Sequence, residues 1–411
     1  MPGELVPDHQ RSDPQRPAHQ RLSPLHQVHV DAGASFTDFA GWQMPVRYSS
    51  DLAEHHAVRH SVALFDLSHM AEIIVSGPEA AEALDYALAG KISSVAIGQA
   101  KYSLLLTPEG GILDDLVIYR THENRYGIVA NASNRYAVAG ALSARAAEFD
   151  VTVFDESDAL ALVAVQGPRS LEVVERLSGL ETLTDASALG YYWSTMGTYH
   201  GQEVMVARTG YTGEDGFELY VRSAQGPQLW NELMEAGAAF DIVPAGLASR
   251  DTLRLEAGMP LYGHELSVNT LPAQAGLGRV VNFTKEGDFV GRDAVEAGPP
   301  EGARVLVGLV SEGKRAGRTE YLVYSADERE VGVVTSGALS PALGYPIAMA
   351  YVGPEDAALG TELYIDVRGT QVPATVVALP FYKRPAAQPA ATSTHSATPN
   401  QATTSNKGTN A

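Results

Sequence analysis

Asp114 and Asp115 stand side by side in GGILDDLVIYR, where Gly110-Gly111 make a turn and the chain then enters a strongly apolar strand. Successive strand residues face opposite sides of a sheet, so only one of the two carboxylates can point into a pocket, and the other meets solvent or a backbone partner. The second position is followed by a largely apolar run, where a carboxylate is expensive to bury without a purpose in binding or chemistry. The competing reading is an Asp pair that closes a turn, since Gly and Asp dominate turns. GYTGEDGFELYV (210–221) repeats the device: a polar, Gly-rich turn precedes a strand in which Glu218 sits between Phe217 and Leu219. An alternating strand equally allows that glutamate to face water. Arg250 is open in the same way, because on its helix it can reach solvent.

Other chemistries find no residues to carry them. His56 and His60 in LAEHHAVRHSV have the spacing that puts two imidazoles on one helix face, but the glutamate of an HExxH site is missing, which favours a surface or packing role. There is no GxxxxGK loop, no GxGxxG opening a helix after a strand, and no GxSxG, so nucleotide kinases, dinucleotide-binding dehydrogenases and α/β-hydrolases lose ground. The chain has no cysteine, which removes disulfides, thiolate metal sites and cysteine nucleophiles together. Its formal charge of −20, from 49 acidic against 29 basic residues, gives no general reason to bind nucleic acid or an anionic membrane. The first residues mix Asp and Arg with no apolar run, and no segment approaches the ~18 apolar residues of a membrane span. A cytoplasmic location is the expectation.

The elements that must position these residues read as α+β. With 411 residues and 45% hydrophobic composition the chain can bury a large core and divides into two or three domains. Polar tails are expected at 1–22 and 386–411. LVIYR (116–120) and YGIVAN (126–131) flank THENR as an antiparallel hairpin. LALVAVQGPRSLEVVERL is a strand, a Gly167-Pro168 turn with the proline at the first helical position, and an amphipathic helix. A second such helix follows Pro244 through RDTLRLEA and stops at Gly258. After a linker of EAGPPEG composition (296–302), six short strands with turn residues between them predict a small β-barrel or sandwich.

Taken together, FAGWQMPVRY (39–48), FDLSHM (65–70), GGILDDL (110–116), ANASNR (130–135), QGP (166–168), GYTGEDGFE (210–218), RDTLRLEAGMPLYGHEL (250–266) and VTSGALSP (334–341) resemble, in this order, the aminomethyltransferase or T-protein family of the glycine cleavage system. The resemblance spans residues 23–385. It implies a three-domain cloverleaf around a central folate channel, with a folate-binding region of two interleaved subdomains at 23–295 and a C-terminal β-barrel at 303–385. Carried over position by position, it makes Asp115 the essential aspartate beside the folate and Glu218 the carboxylate that accepts from the paired N–H groups of the pterin edge. It assigns Tyr102, Asn131 and Tyr211 to contacts with or around folate, and Met70, Val117 and Tyr119 to the neighbouring wall. Arg250 falls near the p-aminobenzoate and glutamate part, and Arg384 on a C-terminal basic position. The sequence departs from the family at Gln274 and Arg279, where a glutamate and an aromatic are expected, in the part of the channel near the folate tail or the lipoyl arm.

The activity so implied moves the carbon of an S-aminomethyl-dihydrolipoyl carrier to tetrahydrofolate, a co-substrate, with release of ammonia and no metal. The implied partners are the lipoylated H-protein, the glycine decarboxylase and the dihydrolipoyl dehydrogenase. An acidic carrier would meet this acidic chain at a local basic patch. The alternatives are a folate-dependent demethylase of a small methylated compound on the same fold, a folate-binding branch that assists iron–sulfur assembly or RNA modification, and a purely structural role. The second of these carries a KGCYxGQE-type motif, whereas the matching stretch here is RLEAGMPLYGHEL, without a cysteine.

Overall fold

The computed structural model describes residues 20–385, so most of both expected tails lies outside the described residues. Arg21 and Leu22, placed in the tail to residue 22, instead form a short strand parallel to Trp42–Gln43. The Arg21 guanidinium lies 4.2 Å from the Trp42 ring centroid, a cation–π contact that helps hold this segment.

The fold is α+β, built on mainly antiparallel sheets. One sheet runs in the order Ala100–Leu106, Ile112–His122, Arg125–Ala130, Ala71–Ser76, Thr152–Asp155. The expected hairpin lies within it, with Tyr119 opposite Gly127. A second sheet contains Ser194–Tyr199, Gln202–Ala207, Gly216–Arg222 and Leu160–Gln166, with Ala63–Asp66 beyond. The six C-terminal strands, Val305–Ser311 to Gln371–Val377, close into a barrel. The helix expected to open at Pro168 opens at Ser170, because Gly167 and Pro168 are used in the turn that ties Arg169 N–H to the Ser61 carbonyl.

The alternation of the strands decides which side chains meet between the two sheets. In Gly216–Arg222, Phe217, Leu219 and Val221 join a core with Leu229 and Trp230 of the helix Gly226–Ala236. Glu218 and Tyr220 therefore turn to the other face. In Ile112–His122, Leu116 and Ile118 pack with Leu84, Val138 and Leu142 from helices on that side, so Asp115, Val117 and Tyr119 turn to the opposite face. The faces meet through Tyr119, Leu162, Ala164, Ala207 and Tyr220. Glu218 is thus an inward residue of a two-sided strand and not the solvent-facing one that alternation alone allowed.

A buried charged cluster ties the barrel to this pair of sheets. Arg59, on the helix Asp51–His60, pairs with Glu214 at 2.9 Å and with Glu256 at 2.8 Å, and Glu256 ends the helix Leu247–Glu256. His55 donates or accepts at Thr252 Oγ1 over 2.7 Å and its Nε2 lies 3.1 Å from Glu256 Oε2, while Ser340 Oγ and the Ala342 N–H donate to Glu256 Oε1. His56 stacks on His60, with 5.7 Å between the ring centroids. Beyond the barrel the chain returns to this cluster: the Tyr382 ring lies 4.0 Å from the Arg59 guanidinium and the Tyr382 N–H donates to the Glu256 carbonyl over 2.8 Å.

Burial by itself raises the Glu256 carboxyl, but His55, Ser340 and the Ala342 N–H outweigh it and hold the group down at about 2. A carboxyl depressed on folding stabilises the protein above its unfolded value of 4.5 and loses that contribution as pH falls from there through about 2. The expected result is a urea midpoint that drops through this acid window in the parent protein and drops less in Glu256→Gln. An identical acid dependence in both proteins would remove Glu256 from the account.

Candidate active site

The GGILDD turn is set by close packing. Gly110 has φ +84°, and a Cβ on Gly111 would lie 1.8 Å from the Val268 carbonyl oxygen, so that backbone sits directly on the loop after Glu265. The Ile112 N–H donates to the Ser267 and Thr270 carbonyls, both at 3.1 Å. With its start pinned, the strand sends Asp115 into the cleft between the sheets. The Asp115 Oδ1 accepts from Asn131 Nδ2 at 2.8 Å and Oδ2 accepts from the Tyr102 hydroxyl at 3.1 Å. Burial pushes its carboxyl above the usual range. Burial, together with the Asp115 charge, pushes the Tyr102 hydroxyl far up, so Tyr102 stays a donor.

Asp114 is the more deeply buried of the pair, with 0% exposure, and it meets not solvent but a backbone partner together with side-chain amides. Its carboxylate accepts from the Asn131 N–H at 3.0 Å, from Asn131 Nδ2 at 2.8 Å and from Asn134 Nδ2 at 2.8 Å. This corrects the expectation that the second aspartate is the costly one to bury: the turn that follows Arg125–Ala130 supplies amide donors that make the first position tolerable.

Across the cleft, Glu218 Oε2 accepts from Thr209 Oγ1 at 2.6 Å, Tyr119 at 3.2 Å and Tyr220 at 3.3 Å. Glu218 Oε1 accepts from no group among the described residues, which leaves one acceptor edge open to a ligand. The Thr209 loop is held by Gln166 of the QGP segment, whose Nε2 donates to the Thr209 carbonyl at 3.1 Å and whose Oε1 accepts from Thr212 at 2.8 Å. A Cβ at Gly210 or Gly216 would strike that Gln166 side chain at 2.1 or 2.2 Å, which accounts for two of the glycines in GYTGEDG.

Tyr211 and Arg250 form a further side of the site. The Arg250 guanidinium lies 4.9 Å from the Tyr211 ring centroid, and the Tyr211 hydroxyl donates to the Pro260 carbonyl. No carboxylate among the described residues pairs with Arg250, although burial lowers its pKa against the opposing charge of Glu218. Met70 and Val117 pack beside Tyr119 in the same cluster. Arg384 stands apart from this group: it is 43% exposed, and its nearest acidic partner is Asp215 at 3.8 Å, which already forms a two-point pair with Arg208. Gln274 serves as a brace, donating to the Arg304 carbonyl at 3.0 Å and accepting from the Leu271 N–H at 3.1 Å. Arg279 is exposed.

Sequence reasoning missed Tyr192, Thr209, Tyr220 and Asn134. Tyr220 was reachable, being two positions beyond Glu218 on the same strand face. Tyr192 was not: it takes φ +63°, a left-handed conformation that costs a non-glycine residue roughly 1 kcal/mol or more. It is held there because its carbonyl accepts from the Ala100 N–H at 2.8 Å and its N–H donates to the Arg208 carbonyl at 3.0 Å, stitching one sheet to the other. Burial, with smaller contributions from Tyr191, Glu218 and Asp115, raises its hydroxyl pKa. Among the described residues no group of three or more His, Cys, Asp or Glu could hold a metal ion, and no helix is long and apolar enough to cross a membrane.

Comparison with known proteins gives the same picture over nearly the whole described chain. The GCVT N-terminal domain family matches residues 25–285, and the glycine cleavage T-protein C-terminal barrel domain family matches 304–383. An aminomethyltransferase of Cutibacterium acnes is 59% identical over 368 residues, covering 89% of this chain and 99% of the relative. One of Saccharopolyspora erythraea is 52% identical over 367 residues, covering 89% and 98%. The crystal structure of glycine cleavage system aminomethyltransferase T from Bartonella henselae superposes with a TM-score of 0.82 at 35% identity, covering 89% of this chain and 99% of that one. The chain belongs to the aminomethyltransferase family, the T-proteins of the glycine cleavage system.

Proposed function

We propose that this protein transfers the methylene carbon of an S-aminomethyl-dihydrolipoyl carrier protein to tetrahydrofolate, releasing ammonia and giving 5,10-methylenetetrahydrofolate. The observation that carries the reading is the pairing of two carboxylates across one cleft, Asp115 braced by Asn131 and Tyr102, and Glu218 braced by three hydroxyls. The residues fit a reduced folate. Glu218 Oε1 is free to accept from an amino-pyrimidinone edge, the Tyr119, Val117 and Met70 wall suits a flat heterocycle, and Arg250 offers an unpaired cation to the carboxylates of the tail. When bound, tetrahydrofolate supplies the acceptor nitrogen for the carbon.

The protein's own part is positioning and proton handling. Asp115, with a raised pKa and two fixed donors, holds its carboxylate toward the cleft and can take or return a proton there. No side-chain nucleophile is needed, because the substrate arrives activated on sulfur and the two tethered reactants gain on the order of 7 kcal/mol from orientation in ideal cases. Asn131, Tyr102 and Tyr211 support this arrangement, and Arg384 is taken as an outer basic position for the polyanionic tail. Residues 23–295 would then form the folate-binding region and 303–385 the barrel domain that closes it. The partners in this reading are the lipoylated H-protein, glycine decarboxylase and dihydrolipoyl dehydrogenase, in the cytoplasm.

The test is ammonia release from an aminomethyl-dihydrolipoyl carrier with and without tetrahydrofolate. Strong folate-dependent release is expected, with no turnover of small methylated amines. Demethylation of such amines without activity on the carrier would overturn the reading.

A further inference from the structure

Asp114 points away from the cleft and is fully buried, yet it shares an amide with Asp115. Asn131 Nδ2 carries two hydrogens, and it lies 2.8 Å from Asp114 Oδ1 and 2.8 Å from Asp115 Oδ1. The same Asp114 carboxylate accepts the Asn131 backbone N–H through its other oxygen at 3.0 Å. Asn131 is therefore clamped at two points by Asp114, and its amide cannot turn over without presenting an oxygen to two carboxylates. Asn134 fixes Asp114 in turn, donating to its Oδ1 at 2.8 Å and to the Leu113 carbonyl at 3.2 Å.

We propose that Asp114 is a positioning residue for the transfer reaction: through Asn131 it sets the orientation of the Asp115 carboxylate and keeps in place the hydrogen bond that stabilises its charge. The proposal rests on the functional reading above for its kinetic consequences, but not for its geometry.

The surroundings make the electrostatic part concrete. The groups that face the pair are Tyr102 from the neighbouring strand, Tyr192, Tyr211, Tyr262 from the segment after Gly258, and the neutral amides of Asn131 and Asn134. No Arg, Lys or His among the described residues forms an ion pair with either aspartate. Two carboxylates joined by one amide and lacking a cation resist being ionised together. Burial and the Asp115 charge push the Asp114 carboxyl up to about 7, so Asp115 gives up its proton first and Asp114 is still partly protonated near neutral pH.

The experiment is the pH profile of kcat and the KM for tetrahydrofolate in the parent protein, Asp114→Asn and Asn134→Ala, alongside a carbon-13 carboxyl titration of Asp115. In Asp114→Asn one amide hydrogen must face the donors of Asn131, so kcat is expected to fall roughly ten- to hundredfold through misplacement of Asp115. The KM for folate should stay within about threefold, since Glu218 and Arg250 are untouched. Asp115 ionises before Asp114, so the substitution removes no charge at that stage; what it weakens is the Asn131 hydrogen bond that favours the Asp115 carboxylate, and the acid limb and the carbon-13 midpoint should both move to higher pH. Asn134→Ala, which loses a bond to Asp114 and none to Asp115, should weaken kcat in the same direction by a smaller factor, and it decides the matter if Asp114→Asn does not fold.

An unchanged pH profile and carbon-13 midpoint in the folded variants would overturn the proposal, even with a lower kcat, because a merely structural role predicts that outcome. Absence of folate-dependent release in the parent protein would instead sink the functional reading. The carbon-13 titration would still decide the coupling between the two aspartates.

Discussion

Asp115→Asn is expected to fold like the parent protein and to lower turnover by about 10²–10⁴-fold, the range ascribed to a positioned acid–base group. The substitution changes no volume, so packing is kept. What it changes is the pattern of donors and acceptors. Asp115 takes a hydrogen bond on each oxygen, from Asn131 and from Tyr102. An amide can accept on its oxygen only, so one donor is left facing an NH2 group and the side chain rotates or loses a partner. The group also ceases to accept a proton anywhere near neutral pH. Circular dichroism and thermal melting check the fold, and ammonia release at saturating substrates checks the chemistry. Turnover within about threefold of the parent would remove Asp115 from the reaction and leave it as a structural partner of Asn131.

The second large effect is expected on affinity. Glu218→Gln should raise the dissociation constant for tetrahydrofolate by about ten- to a hundredfold, since a hydrogen bond to a charged group contributes roughly 1.5–3 kcal/mol. Three hydroxyls, from Thr209, Tyr119 and Tyr220, converge on Oε2. A glutamine keeps them satisfied only by placing its oxygen there, and its NH2 then faces the cleft, where the pterin edge also donates. Donor meets donor. The alternative rotamer satisfies the ligand and leaves the hydroxyls facing an NH2. Either way the loss is in binding, with kcat at saturating folate less affected, and isothermal titration separates the two. An unchanged dissociation constant would show that the open oxygen of Glu218 does not meet the ligand.

Both residues stand out in the bare sequence because each breaks a local rule: a carboxylate in a run of apolar strand residues has to be either solvated or used. For Glu218 the deciding fact lies elsewhere in the chain. Its strand is covered on one face by Leu229 and Trp230 and on the other by the Tyr119 sheet, so the solvated alternative is closed. The C-terminal barrel is legible from six strand-like segments with turns between them, because barrel strands are short and local. Tyr192 is not, since a left-handed tyrosine is an outcome of two sheets being sewn together and leaves no pattern in LGYYW. Asp114 departs from expectation for a related reason. Whether a buried carboxylate is tolerable depends on donors that arrive from the turn after the partner strand, and Asn131 and Asn134 show no spacing that announces them as such. The proline of QGP misleads for a third reason: its turn is shaped by contact with Ser61, far earlier in the chain, and the helix begins only after that contact is made.

The return of Tyr382 to Arg59 and Glu256 bears on the order in which the molecule can be assembled. The loop carrying Tyr211 and leading to Glu218 is anchored through Glu214 and Thr212 to Arg59, and Arg59 is covered in turn by an aromatic ring that enters the chain more than three hundred residues later. Contacts of such long sequence separation form late, after the loop-closure entropy of everything between them has been met. During synthesis the two sheets can collapse on their own cores while this loop still lacks its cover. The site therefore matures as one of the last events of folding, and a chain halted within the barrel carries Asp115, Glu218 and Arg250 without the clasp that holds them in register.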